Sequence, residues 1–143
     1  MGTQQILMII LSVIVVGAAV AVGIQMFDTQ ADNQTRNALV VESMQMAVQA
    51  QAWYRTPDMM GGGGYKATNI SIGKIAKYIN NNADSNRIEL DGTGTFVITH
   101  SGGTNLLIEA SDTAPYDDAK IKVRTVVDLA GRGKQGVQVE PNP

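Results

Sequence analysis

Cysteine is absent from this chain of 143 residues, and histidine occurs once. The first absence excludes a disulfide framework, a thiol nucleophile and any Cys-ligated zinc or iron–sulfur centre. The second leaves His100 with no partner for a catalytic triad or a two-histidine metal site, so a structural role is expected for it. Charge of neither sign dominates. Eleven basic residues against 13 acidic ones give a net charge of −2 and no electrostatic footprint for nucleic acid. Helix breakers are also scarce in the first part: no proline precedes Pro57, and no glycine lies between Gly23 and Gly61. Charge is missing altogether from residues 1–27, so every acidic and basic side chain lies in residues 28–143. The chain therefore divides into an apolar part, 1–27, and a polar part, 28–143, the latter of a size that suits one globular head.

Within Ile6–Phe27 only Ser12, Gly17, Gly23 and Gln25 are not apolar. As a helix this run is roughly 33 Å long, which matches a hydrocarbon core of about 30 Å. It is apolar on every face, unlike the amphipathic surface helix of a soluble domain. Three explanations are open: a cleaved signal peptide, a membrane anchor, or a helix buried in an assembly. Ala19-Val20-Ala21 has the small-x-small form of a cleavage site, but Met1–Gln5 carries no Lys or Arg for a basic n-region, so retention is expected. Gly17 and Ala21 are four apart, as are Ala19 and Gly23, and this spacing lets helix backbones approach closely.

Beyond Phe27 the chain turns polar without a breaker. Apolar residues at Val40/Val41, Met44, Ala47/Val48 and Ala52 follow helical spacing, and Gln30, Gln34, Gln45, Gln49 and Gln51 fill much of the remaining surface. One continuous helix from about Thr3 to Arg55 is the economical reading; two helices hinged near Asp28–Asn33 are the alternative. Thr56-Pro57 ends it, because a residue before proline is pushed out of the helical region. Gly61–Gly64 lacks the Lys-Ser/Thr and the preceding strand of a phosphate loop and reads as a flexible connector. Ser71 is placed to cap a short helix with Ile72, Ile75, Ala76 and Ile79 on one face.

The remainder reads as strands at Arg87–Leu90, Thr95–His100, Thr104–Ala110, Lys120–Leu129 and Val137–Val139. In the fourth, Ile121, Val123, Thr125, Val127 and Leu129 share one face and Lys122, Arg124 and Asp128 the other. The fold class expected is α+β: a long N-terminal helix, about 1–55, with a small antiparallel sheet packed on its second half. Two complementary periodicities predict that Ile121, Val123, Val127 and Leu129 pack onto Val41, Met44 and Val48. Trp53 and Tyr54 are expected in the core under the sheet.

This order of elements resembles the type IV pilins: a charge-free apolar helix at the N-terminus, an amphipathic continuation to about residue 54, then a loop and a small antiparallel sheet. The resemblance covers the whole chain as architecture and Gln5–Phe27 as residue pattern. It implies a homopolymer in which the front half of the helix packs into a filament core while the head faces outward. Ile9, Val13, Val16, Gly17, Val20, Ala21, Gly23 and Ile24 would then be the core-packing positions. It further implies an inner-membrane stage before assembly, a pilus assembly machinery, and a final place in an extracellular filament at the cell surface. The family usually carries a Glu near its start that pairs with a neighbouring subunit's terminal amine; the matching place here is the neutral Gln5. It usually begins with an N-methylated Phe, carries a proline in the helix and closes a C-terminal disulfide loop. This chain has Met1-Gly2, no proline before Pro57 and no cysteine.

No catalytic set, cofactor site or metal site is expected. Asp84-Ser85-Asn86 lacks the Gly and Glu spacing of a calcium loop and reads as a turn. Asp112, Asp117 and Asp118 surround Pro115-Tyr116 and read as a solvated loop. Asn33 and Asn69 each begin an N-x-S/T triplet and are candidate glycosylation sites, Asn69 the more exposed of the two by expectation. A structural filament subunit is thus the leading expectation. A single-span anchored protein with a small exposed binding head is the alternative.

Overall fold

A computed structural model describes residues 2–83, 85–90, 92–113, 119–131 and 137–141, the last five by backbone alone. Asp84, the loop 114–118 with Asp117 and Asp118, and most of the turn Gly131–Gly136 lie outside the described residues. Helix α1 runs unbroken over Gly2–Arg55, with no interruption at Asp28–Asn33. Its continuity follows from the lack of breakers: thirty-seven consecutive positions between Gly23 and Gly61 hold no glycine, and Pro57 lies just past the helix end. By internal contacts the chain falls into two units, Met1–Gln34 and Thr35–Pro143.

The first unit is helix alone. The hydroxyl of Ser12 donates to the carbonyl of Ile9 at 2.8 Å, and that of Thr29 to Gln25 at 2.9 Å. Both hydroxyl protons are thus used within the helix, so Ser12 brings no unpaired donor into the apolar run.

The second unit joins the end of α1 to a 3-10 turn at Asp58–Met60, another at Ala67–Asn69, helix α2 (Ile72–Ile79) and five strands. These are β1 (Arg87–Leu90), β2 (Gly94–Gly102), β3 (Asn105–Ser111), β4 (Lys122–Asp128) and β5 (Val137–Pro141). The sheet is antiparallel and its spatial order is the chain order, with β1 and β5 at the edges. Alternation fixes its inner face: Phe96 and Ile98, Leu106 and Ile108, then Val123, Thr125 and Val127 are all buried. Lys122 and Arg124 lie on the other side, where Arg124 meets Glu109 of the paired strand at 3.0 Å. The expected strand register is therefore present. Helix α2 packs against β2 through a face that buries Ile75 and Ala76. Ser71 does occupy its N-cap position but makes no side-chain capping hydrogen bond.

The helix face under the sheet is not the one the sequence suggested. Val41, Met44 and Val48 are 55%, 43% and 61% exposed, while Leu39, Ser43, Met46, Ala47, Ala50, Trp53 and Tyr54 are buried. Two stripes of helical spacing compete on α1. The one that docks carries small residues in its middle and two aromatics at its end. Ser43, Ala47 and Ala50 let the backbone approach the sheet, and Trp53 and Tyr54 add the bulk of the core at the helix end. Burial of Trp53 and Tyr54 agrees with expectation.

A buried polar pair crosses this interface. Thr125 donates to Ser43 Oγ at 2.9 Å, and Ser43 donates on to the carbonyl of Val40 at 2.8 Å. At the end of β4 Gln51 donates to the carbonyl of Asp128 at 3.1 Å. Replacing Thr125 by Val keeps the volume and removes one hydrogen bond. The expected loss is about 1 kcal/mol, roughly 4–8 °C in the melting temperature of a unit this size, readable by thermal denaturation in detergent. An unchanged melting temperature would mean that the pair contributes nothing to docking.

The run Gly61–Gly64 also differs from expectation. It is a built cap, not a flexible connector: Gly62 and Gly63 are buried, and their amides reach the carbonyls of Pro57 and Trp53 at 3.2 and 3.1 Å. The amides of Gly64 and Tyr65 continue the cap to Thr56 and Tyr54, and Trp53 Nε1 donates to the carbonyl of Gly61 at 3.0 Å. These bonds satisfy carbonyls that the end of α1 would otherwise leave bare.

Candidate functional site: an uncovered apolar helix

Every Ile, Leu, Val, Met and Phe from Ile6 to Phe27 is exposed, from 53% at Ile10 to 75% at Met8. Among them Ile9, Val13, Val16, Val20 and Ile24 recur at three- and four-residue intervals and form one stripe. Gly17 and Ala21 are exposed and Gly23 is half-exposed. The most apolar 18-residue window of α1 has a mean hydropathy of 2.9 and is not buried anywhere within the chain. By length and composition the helix is able to cross a membrane, a test that N-terminal signal sequences also meet. Full burial of a large aliphatic side chain is worth about 1.5–3 kcal/mol, so a run of this kind left in water forgoes on the order of tens of kcal/mol. The segment needs an apolar environment, whether lipid or protein.

Its glycines add a second observation. A methyl group placed at Gly17 or Gly23 would meet no neighbour within 4 Å. A glycine inside a helix costs about 1 kcal/mol relative to alanine. Nothing in the chain's own packing uses the space these two leave open, so any return on that cost comes from outside the chain.

The other positions singled out in the sequence are dispersed. His100 is exposed on β2, with Nε2 at 3.1 Å from the carbonyl of Gly103 at the adjoining turn. Asn33 is exposed on α1. Asn69 is half-buried in the second 3-10 turn, and its Nδ2 approaches Asp58 Oδ2 at 3.4 Å. It is therefore the less exposed of the two sequons, the reverse of expectation, with its amide turned toward Asp58 of the first 3-10 turn. An open depression of about 540 Å³ is bordered by Thr35, Arg87, Glu89 and Asp112. Its guanidinium is already engaged, with Arg87 Nη2 at 2.9 Å from Glu89 Oε1. Among the described residues no three His, Asp or Glu side chains come together as a metal-ion cluster.

Comparison with known proteins adds no relative: no family model, no curated protein and no solved structure matches this chain. The long apolar helix and the small antiparallel sheet are compatible with pilin-like architecture.

Proposed function

We propose that the chain is the structural subunit of an extracellular, type IV pilus-like filament, built by packing the N-terminal apolar helices of many copies into a common core. The observation that carries this reading is the all-round exposure of Ile6–Phe27 on a helix that continues into a folded head. A bundle of identical helices supplies the apolar surroundings that one copy lacks. The open space beside Gly17 and Gly23 supports close helix approach there. Before assembly the same segment spans the inner membrane; afterwards it lies in the filament and the head faces the exterior. An assembly machinery is implied by the resemblance, and the role requires no catalysis, cofactor or nucleic acid.

The second reading keeps the segment in the bilayer as a lone anchor for a small binding head, and its favouring observation is the match of helix length to a bilayer. Negative-stain microscopy of surface material, with mass spectrometry of the fibres, separates the two. Thin fibres composed of this chain are the expected result; detergent-soluble monomer alone would favour the anchor.

Cohesion of such a core has a salt signature. With Gln5 where an acid would pair with a terminal amine, registration rests on shape and on hydrogen bonds from Gln4, Gln5 and Gln25. Van der Waals packing is indifferent to ionic strength, whereas exposed charge contacts between heads are screened. Filaments with the heads trimmed by protease should stay intact across a salt series. Dissolution at moderate salt would mean that an ionic contact holds the bundle in register.

A further inference from the structure

We propose that Met59 and Met60 form a modification site, at which hydroperoxides oxidise two thioethers to sulfoxides while the head stays folded. Seven methionines occur in the chain, and their surroundings differ. Met8 and Met26 belong to the apolar run, which lipid or protein covers in either reading of the function. Met46 is 2% exposed in the core, and Met44 is 43% exposed on α1. Met59 and Met60 are 101% and 80% exposed, the two highest values among the large apolar side chains of the described residues.

The turn that carries them is a built one. Pro57 fixes its start, the amide of Met60 reaches the carbonyl of Pro57 at 2.9 Å, and that of Gly61 reaches Asp58 at 2.9 Å. Gly61 then leaves in the left-handed region at φ 83°, and Gly62 is buried against Thr56. The backbone of the turn is thus tied back to the end of α1 while both thioethers stand in water. The fold gains little from either side chain: Met59 buries no area, and Met60 only rims an open depression with Val48 and Pro57.

The thioether sulfur is polarisable and has no proton to lose, so it is a nucleophile at any pH. Its lone pair attacks a hydroperoxide, forming the S–O bond as the O–O bond breaks. Sulfur is oxidised by two electrons and the peroxide is reduced. The departing oxygen collects the proton of the transferred hydroxyl, leaving as water from hydrogen peroxide or as an alcohol from an alkyl hydroperoxide. The step draws on no base or metal from the protein, so access to the sulfur sets the order of reaction. The product is polar, which costs the fold nothing at an exposed turn. At Met46 the same oxygen would put an unpaired acceptor into the core. Methionine sulfoxide reductases return both epimers to the thioether. The head thus carries a reversible sink for oxidant on a turn whose oxidation the fold tolerates.

The test uses the full chain, in detergent and in intact surface material, dosed with hydrogen peroxide and mapped by peptide mass spectrometry. One added oxygen on each of Met59 and Met60 is expected at least about tenfold faster than on Met46, with Met44 between them. Melting of the head should be unchanged when Met59 and Met60 alone among its methionines are oxidised, and the two reductases together should restore the original mass. The double variant Met59→Leu, Met60→Leu should take up correspondingly less oxygen at that dose. Oxidation of Met46 as early as Met59 and Met60 would overturn the inference. A fall in melting temperature with only these two oxidised, or failure of the reductases to restore the mass, would do the same. Protection of the turn in surface material but not in detergent would also overturn it, because another chain would then cover the turn; the filament reading would still stand.

Discussion

Cells making only the Val16→Asp variant should show no fibres, although the chain still reaches the membrane. Val16 lies mid-segment and is 61% exposed in the single chain, beside Gly17, which leaves room for a neighbouring helix. In a packed core its side chain has no water and no cation within reach, since residues 1–27 contain neither Lys nor Arg. An unpaired buried carboxylate costs several kcal/mol, and in a homopolymer every copy repeats the error. Insertion is a milder test: one Asp at the centre of a spanning helix costs about 2.5–3.5 kcal/mol, which the flanking run of Ile, Val and Leu offsets. The defect should therefore appear at assembly, with normal amounts of chain in the membrane fraction. Val16→Leu, which stays apolar, should retain fibres. Normal fibres from Val16→Asp would sink the proposed function.

The second large effect concerns the head. Gly62→Ala should lower its stability by about 1–3 kcal/mol, with a fall in melting temperature of roughly 4–8 °C for each kcal/mol. A β-carbon at Gly62 would lie 2.3 Å from the carbonyl oxygen of Thr56 and 2.4 Å from its Cβ. The first of these is backbone and cannot swing aside as the end of a flexible side chain would. Relief requires the loop to lift, which breaks the bonds from Gly63 and Gly64 to Trp53 and Thr56 and the one from Trp53 Nε1 to Gly61. Trp53 then loses part of its cover. Met59→Ala, at a fully exposed neighbouring position, is the control and should melt like the wild type. Equal melting of Gly62→Ala and wild type would show that the cap yields freely.

Much of this architecture can be read from the residues because it rests on simple periodicities. The alternation Val123, Thr125, Val127 identifies β4 and its buried face, and Ile75 and Ala76 identify the inner side of α2. The length of α1 follows from the missing breakers. What stays hidden is any choice between near-equal local signals. Hydrophobicity favours Val41, Met44 and Val48 as the docked stripe, but close approach to a sheet rewards small side chains, and Ser43, Ala47 and Ala50 prevail. The polar Ser43 would count against burial until its partner Thr125 is known, 82 residues further on. Four successive glycines look alike as letters; only their position against Thr56 and Trp53 separates a close-packed cap from a tether. The candidate site was legible almost whole, because an uncharged run needs no tertiary information to be recognised. Its glycines gain meaning only once nothing in the chain is found beside them.

The order of the sheet has a consequence for life at high density. A polymer of the proposed kind holds its heads at a local concentration that dispersed proteins rarely meet, and any open strand edge becomes a template for cross-β fusion. Here β1, at one edge, is four residues long and sets Arg87 and Glu89 on a single side, joined to each other at 2.9 Å. The opposite edge, β5, ends at Pro141, which has no amide hydrogen to offer a neighbouring strand. Short length, a charged pair and a terminal proline are the devices by which sheet edges refuse partners. In the proposed filament, crowded heads would lie side by side without their strand edges fusing, which leaves cohesion to the helices.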